Sequence, residues 1–271
     1  MLLRKLTKHI NEQNWFAVFI DFLIVVVGIF VGLQVTNWSQ NKSYEATTQQ
    51  YYHRLVADLN ADIYVFQTTL DYYTTVEQYA SNTIDYIHNR ESNNSSLNNN
   101  SSQKSDSQFV INAYQATQIT TNGFLEYTYS ELVSSGFIRN IKNSEIKSML
   151  SGYYINSKFE DFMYVETTPY RIQIRRLLSA NTQKKIREHC GDQEIFNDDR
   201  TSYEISLPET CIVEFAPETV RKELSALLSY TELEHDLNYL MSIIAIAKYN
   251  LQLNLDLAKA IKINIETLIE N

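Results

Sequence analysis

Residues 16–35 read FAVFIDFLIVVVGIFVGLQV, and where this stretch is housed decides the architecture. Twenty helical residues at about 1.5 Å each span roughly 30 Å, the thickness of one hydrocarbon core. Fifteen of the twenty are Phe, Val, Ile or Leu. At about −0.3 to −0.6 kcal/mol apiece they outweigh one off-centre aspartate costing at most about +3.5 kcal/mol, so insertion into a bilayer is expected. Trp15 and Trp38 flank the run, where indole rings favour the headgroup level. The run is longer than a secretory h-region, and residues 33–38 offer no small-x-small cleavage pattern. Residues 15–38 therefore read as an uncleaved signal anchor. Arg4, Lys5 and Lys8 precede the run and only Lys42 closely follows it. The positive-inside rule then keeps residues 1–14 in the cytoplasm as a basic tail and exports residues 39–271. Leu2, Leu3, Leu6 and Ile10 alternate with the tail's cations, which suits either adhesion to an anionic leaflet or a frayed tail.

Two features of the run go beyond anchoring. Gly28 and Gly32 form a GxxxG that lets a second helix approach closely, and Val25 and Val35 share their stripe with Asp21. Asp21 lies roughly 7 Å inside the run, too deep for a short side chain to reach water easily, and an acid so placed usually has a partner. Self-association, or pairing with another membrane subunit, is the expected role of Asp21, Gly28 and Gly32. An interfacial or protonated aspartate is the plainer alternative.

Beyond the anchor, six Gly and three Pro in 271 residues leave few breakers, so the fold class is mostly α. An elongated bundle is expected, with two long coiled-coil-like helices and a small irregular or hairpin flap. The first long helix covers residues 44–88, with apolar positions such as Leu55, Leu59, Ile63 and Phe66 three or four apart. A short break from the anchor is expected at residues 37–43. Residues 91–108, ESNNSSLNNNSSQKSDSQ, have almost nothing to bury and read as a disordered loop. Thr128 and Glu131 have the spacing of a capping box, and Gly136 is placed to end that helix at positive φ. Asn143 can cap the next helix, and Pro169 after Thr168 marks a break or a restart. From Pro217 the apolar spacing runs almost to the end, predicting a second long helix packed on the first. Cys190 and Cys211 bracket the flap, and two cysteines in an exported domain predict a disulfide.

The net charge is −9. Residues 1–42 carry +2, which leaves −11 on the body, so nucleic acid is excluded as a partner for want of a basic stripe. No nucleotide, metalloprotease, hydrolase or calcium-loop motif is present, so no cofactor or metal is expected. Glu232, Glu234, His235 and Asp236 are the densest ligand-type cluster, but successive helical positions diverge, and a solvated helix face explains them better. His53 reads as a surface residue. Ser134 and Ser135 beside Gly136 read as helix-end chemistry rather than a nucleophile. The 19 Tyr suit a narrow bundle whose rings pack while their hydroxyls reach a neighbour.

Two stretches together resemble an uncharacterised bacterial family of single-span membrane proteins. The first is Asp21, Gly28 and Gln34-Val35-Thr36-Asn37-Trp38: an acid in the span, then an Asn-Trp pair. The second is Tyr127-Thr128-Tyr129-Ser130-Glu131-Leu132-Val133-Ser134-Ser135-Gly136, a TYxEL-x-SSG central motif, followed by Ile141-Lys142-Asn143-Ser144-Glu145-Ile146 and Tyr153-Tyr154. Asp stands where that family more often has Glu at residue 21, and Gly32 where Ala is usual. The resemblance implies a single-pass protein of the bacterial inner membrane with a periplasmic domain, and it supplies no activity. The expected function is a membrane-anchored, non-catalytic interaction or scaffold protein that pairs through its span and meets a periplasmic protein. The alternatives are an extracytoplasmic ligand sensor acting through a partner chain and, less favoured, an exported hydrolase.

Overall fold

The structure is a computed structural model that describes residues 15–92, 99–120, 126–164, 167–196 and 203–270. The basic tail and the Trp15 side chain lie outside the described residues. The chain is mostly helical and divides into two compact units, Met1–Tyr51 and Tyr52–Asn271.

Helix α1 (Trp15–Ser92) supplies the first unit. It contains the one helical stretch among the described residues long and apolar enough to cross a membrane, and none of that apolar window is buried. The break expected at residues 37–43 is absent: the helix runs through them. No Pro or Gly interrupts there, and the nearby polar side chains satisfy themselves within the helix. The hydroxyls of Thr36, Thr47 and Thr48 donate to the carbonyls of Gly32, Ser43 and Tyr44 at 2.9, 2.9 and 2.7 Å, the back-bonding that lets Thr sit inside a helix.

The second unit opens with the rest of α1, where Tyr52, Leu55, Leu59, Asp62, Phe66, Thr69, Tyr73, Val76, Ala80 and Thr83 are all buried. Their steps alternate three and four, so one stripe faces the core along the whole stretch. Around it stand α2 (Asn99–Gln115), α3 (Tyr127–Ser134) with a 3-10 turn (Phe137–Asn140), α4 (Ser144–Tyr164), α5 (Pro169–Leu177) and α6 (Ala180–Cys190). A two-stranded antiparallel hairpin follows, β1 (Gln193–Phe196) and β2 (Tyr203–Ser206), with Gln193 opposite Ser206 and Phe196 opposite Tyr203. Helices α7 (Pro217–Leu228) and α8 (Leu233–Glu270) close the chain. Helix α8 packs on α4 and α5, and α7 on α2 and α5. Glu77 meets Lys248 and His88 meets Glu234, so α8 runs antiparallel to this part of α1.

Three local expectations change. Of the loop expected at residues 91–108, residues 93–98 lie outside the described residues, while residues 99–108 are helical, because α2 buries Phe109, Val110 and Ile111 and Asp106 accepts a hydrogen bond from Tyr86. Tertiary contacts outweigh the polar composition. The capping box does not form. Helix α3 begins two residues early, with Glu126 at its cap, and Thr128 is buried. Its amide donates to Asp58 of α1 at 3.3 Å, while Glu131 turns away to Arg54 at 2.5 Å. A carboxylate from a neighbouring helix thus does the work assigned to the local motif. The single last helix is two helices, with a turn at residues 229–232 that closes as the Tyr230 hydroxyl bonds Asp236.

Other signals hold their place. Gly136 has φ 72°, a conformation that costs any other L-residue strain, just past the end of α3. The Asn143 carboxamide oxygen accepts from the amides of Glu145 and Ile146 at 2.9 and 3.0 Å, and Thr168 accepts from Arg171 N ahead of Pro169 at N1. Cys190 and Cys211 are bonded, with Cα atoms 5.6 Å apart.

Candidate functional site

Within the first unit, Asp21, Val25, Gly28, Gly32 and Val35 recur every three or four residues and so share one face of α1. A Cβ built on Gly28 or Gly32 meets nothing within 4 Å, so the small-residue surface is open to a partner helix. Asp21 is exposed on this face. The Thr36 hydroxyl is already spent on the Gly32 carbonyl, which leaves Asp21 and Gln34 as the polar side chains of the run still turned outward. Trp38 is exposed, and the Lys42 ammonium sits 5.8 Å from its ring centroid, one turn later. This is the cation-over-indole pairing that suits the boundary between hydrocarbon and water.

The second unit holds a different polar assembly, which sequence reasoning missed. Helix α2 ends at Gln115, and four of the next five residues stay inside the core: Ala116, Thr117, Gln118 and Thr120 are buried together with Asn112 and Gln115, with Ile119 half-buried. Carbonyls at a helix C-terminus lack intrahelical donors, and here side chains supply them. The Tyr170 hydroxyl donates to Ala113 O at 3.0 Å, Arg171 to Thr117 O, and Tyr73 to Thr120 O at 2.8 Å. Arg175 donates to Thr117 Oγ1 and Gln118 Oε1 at 2.9 and 3.0 Å, with its guanidinium 5.0 Å from the Tyr114 ring centroid. Gln115 reaches across to Cys190 O at 2.7 Å. Burial, and the charge of Arg175 beside it, depress the Arg171 pKa; burial pushes the Tyr73 phenol up to about 12 and raises the Asp192 carboxyl, which accepts from Tyr72 at 3.0 Å. The available signal was a short one: Arg171 and Arg175 are four apart on one helix face, and QATQITT follows an apolar run. Chemically, this assembly ties a helix end to three neighbours, and its donors and acceptors are engaged with one another.

The chain matches no protein-family model, no curated protein and no solved structure.

The remaining candidates separate. Glu234 and Asp236 lie in the first turn of α8, where negative charge is favourable to the helix dipole. Glu232 bonds His235 at 3.1 Å, Glu234 bonds His88 at 2.9 Å, and Asp236 takes Tyr230, so only Glu232 and His235 meet and Glu234 and Asp236 turn elsewhere. Among the described residues no three His, Cys, Asp or Glu side chains converge to hold a metal ion. His53 is exposed, and Ser134 donates to Glu131 O at 3.2 Å, part of the helix end.

Proposed function

We propose that this chain is a membrane-anchored interaction protein without catalytic activity of its own. Residues 15–38 cross the inner membrane of a bacterium with residues 1–14 cytoplasmic, and the helical domain stands in the periplasm. The reading rests above all on the wholly exposed apolar window of α1, with Gly28 and Gly32 open on the face that carries Asp21. Such a surface has no place in water, since fourteen large apolar side chains of the run, among the described residues, would lie unburied. In a bilayer the same face offers close backbone approach, and Asp21 gains by meeting a donor on a second helix. The span therefore pairs either with a second copy or with another membrane subunit. The likeness to bacterial single-span proteins noted above points the same way, as does the Trp38–Lys42 pair at the outer boundary.

The test is recovery of complexes after mild detergent extraction, comparing the wild type with Asp21→Ala and Gly28→Ile. Association is expected to fall in both variants. Complexes of unchanged size and abundance in both would remove the pairing role. Protease added to intact spheroplasts is expected to digest the helical domain; full resistance there, with digestion in inverted vesicles, would overturn the orientation.

A further inference from the structure

Two of the three prolines, Pro208 and Pro217, bracket one short stretch of chain. Between them Cys211 and Val213 are buried while Ile212 and Glu214 are exposed. A period of two is the mark of an extended strand. The stretch is fastened at intervals: the Tyr79 hydroxyl donates to Pro208 O at 2.6 Å, Cys211 is bonded to Cys190, and Lys185 donates to Glu214 O at 2.5 Å. Yet among the described residues no backbone amide of residues 210–215 has a backbone partner. An alternating, fastened stretch whose amides lack backbone partners has the pattern of an unpaired strand edge, which folded proteins ordinarily pair or cover.

That edge borders a groove of about 840 Å³, within the roughly 300–1,000 Å³ typical of binding clefts. Ile212 and Phe215 contribute the accessible apolar surface above the buried Tyr79 and Ile111, Lys104 and Gln108 stand on α2 across from the strand, and Glu209 and Glu214 stand on the strand itself. We propose that the groove receives an extended polypeptide segment of a partner protein, which adds as a second strand to residues 210–215. Six residues of strand measure about 20 Å. The inserted segment makes main-chain hydrogen bonds to the edge, sets an apolar side chain against Ile212 and Phe215, and carries Lys or Arg to meet Glu209 and Glu214. The prolines limit the pairing at both ends, since neither has an amide to donate. Because the disulfide and the two side-chain bonds already hold the strand, docking demands little ordering of this chain. The site is independent of α1 lying in a bilayer, so its failure and that of the membrane reading are distinguishable.

The experiment selects peptides from a random twelve-residue library displayed on phage, against the full chain in detergent micelles. Recovered peptides are expected to slow amide exchange at residues 210–215. N-methylation along one peptide edge should weaken binding roughly tenfold for each hydrogen bond removed, and methylation along the other edge should leave it unchanged. Ile212→Pro and Val213→Pro strip amides that point to opposite sides of the strand. One is expected to abolish binding and the other to retain it. Selection of no binders, binders that leave exchange at residues 210–215 unchanged, or equal loss in the two proline variants with melting temperature preserved would each overturn the proposal.

Discussion

Glu223 is 2% exposed on α7, yet its carboxylate is directed at the start of α6. It accepts from Ser179 N at 3.2 Å and from the Thr182 hydroxyl at 2.8 Å. A carboxylate at a helix N-terminus meets both an orphan amide and the positive end of the dipole. Glu223→Ala removes two charge-assisted hydrogen bonds, each contributing about 1.5–3 kcal/mol, and leaves a small void. Relief of the buried charge offsets part of this loss. Thr182 also keeps its bond with the Ser179 hydroxyl, so the net cost is about 3 kcal/mol. For a unit of this size that lowers the melting temperature by roughly 6–12 °C. Glu223→Gln preserves shape but turns an amide toward two donors, and about half the effect is expected. Thermal unfolding of the full chain in detergent, followed by near-ultraviolet circular dichroism, reads both. Val220→Ala, at a buried position on the same helix, serves as the control that the unit's unfolding is being observed. A Glu223→Ala protein melting within a degree of wild type while Val220→Ala shifts would refute the argument, as would a Thr182→Val and Glu223→Ala double-mutant cycle with no coupling.

Reducing the Cys190–Cys211 bond, or replacing Cys190 by Ser, is expected to cost about 3 kcal/mol for a sequence separation of 21; the melting temperature with and without reductant checks this. Gly136→Ala must hold φ 72° and is expected to lose about 1–2 kcal/mol, measured by urea unfolding, whereas Gly152→Ala, in α4 with open space around it, is expected to be neutral or stabilising. The Tyr73 phenol is buried and its pKa is raised from 10.0 to about 12, so the unfolded chain releases this proton first. The stability it contributes is complete below pH about 10 and is lost as pH rises through about 12, by up to roughly 3 kcal/mol. Tyr73→Phe should flatten that alkaline slope in urea titrations, and an unchanged slope would contradict it.

Legibility in the sequence followed the range of the forces involved. The apolar run needs only its own composition to declare itself, and the three-four spacing from Tyr52 onward survives because one face of a helix repeats without reference to its neighbours. Gly136, Asn143 and Pro169 could be read because their effect is completed within a turn of chain. Thr128 and Glu131 carried the same kind of signal and misled, since Asp58 and Arg54, 70 and 77 residues away, displace the local pairing. Residues 99–108 look soluble taken alone and are helical because Phe109 and Tyr86 stack beyond them, with centroids 4.2 Å apart. The polar assembly after Gln115 was hidden for the same reason: Tyr73, Tyr170, Arg171 and Arg175 come from two other helices, and no window of sequence contains them together. At the anchor, Asp21, Gly28 and Gly32 were legible as a face, because helical geometry alone brings them into line.

The tyrosine contacts carry an implication for how this domain tolerates change. Tyr73, Tyr79 and Tyr170 each grip a main-chain oxygen, on Thr120, Pro208 and Ala113. Every amino acid presents that same oxygen, so a gripped position such as half-buried Pro208 can drift in identity while the grip persists, whereas Ala113 and Thr120 are also held by their own burial. The three phenols have no such latitude: phenylalanine would fill the space and drop the rung. Random mutagenesis of the domain should therefore produce a lopsided map, permissive along the irregular connections and intolerant at the rings that clasp them.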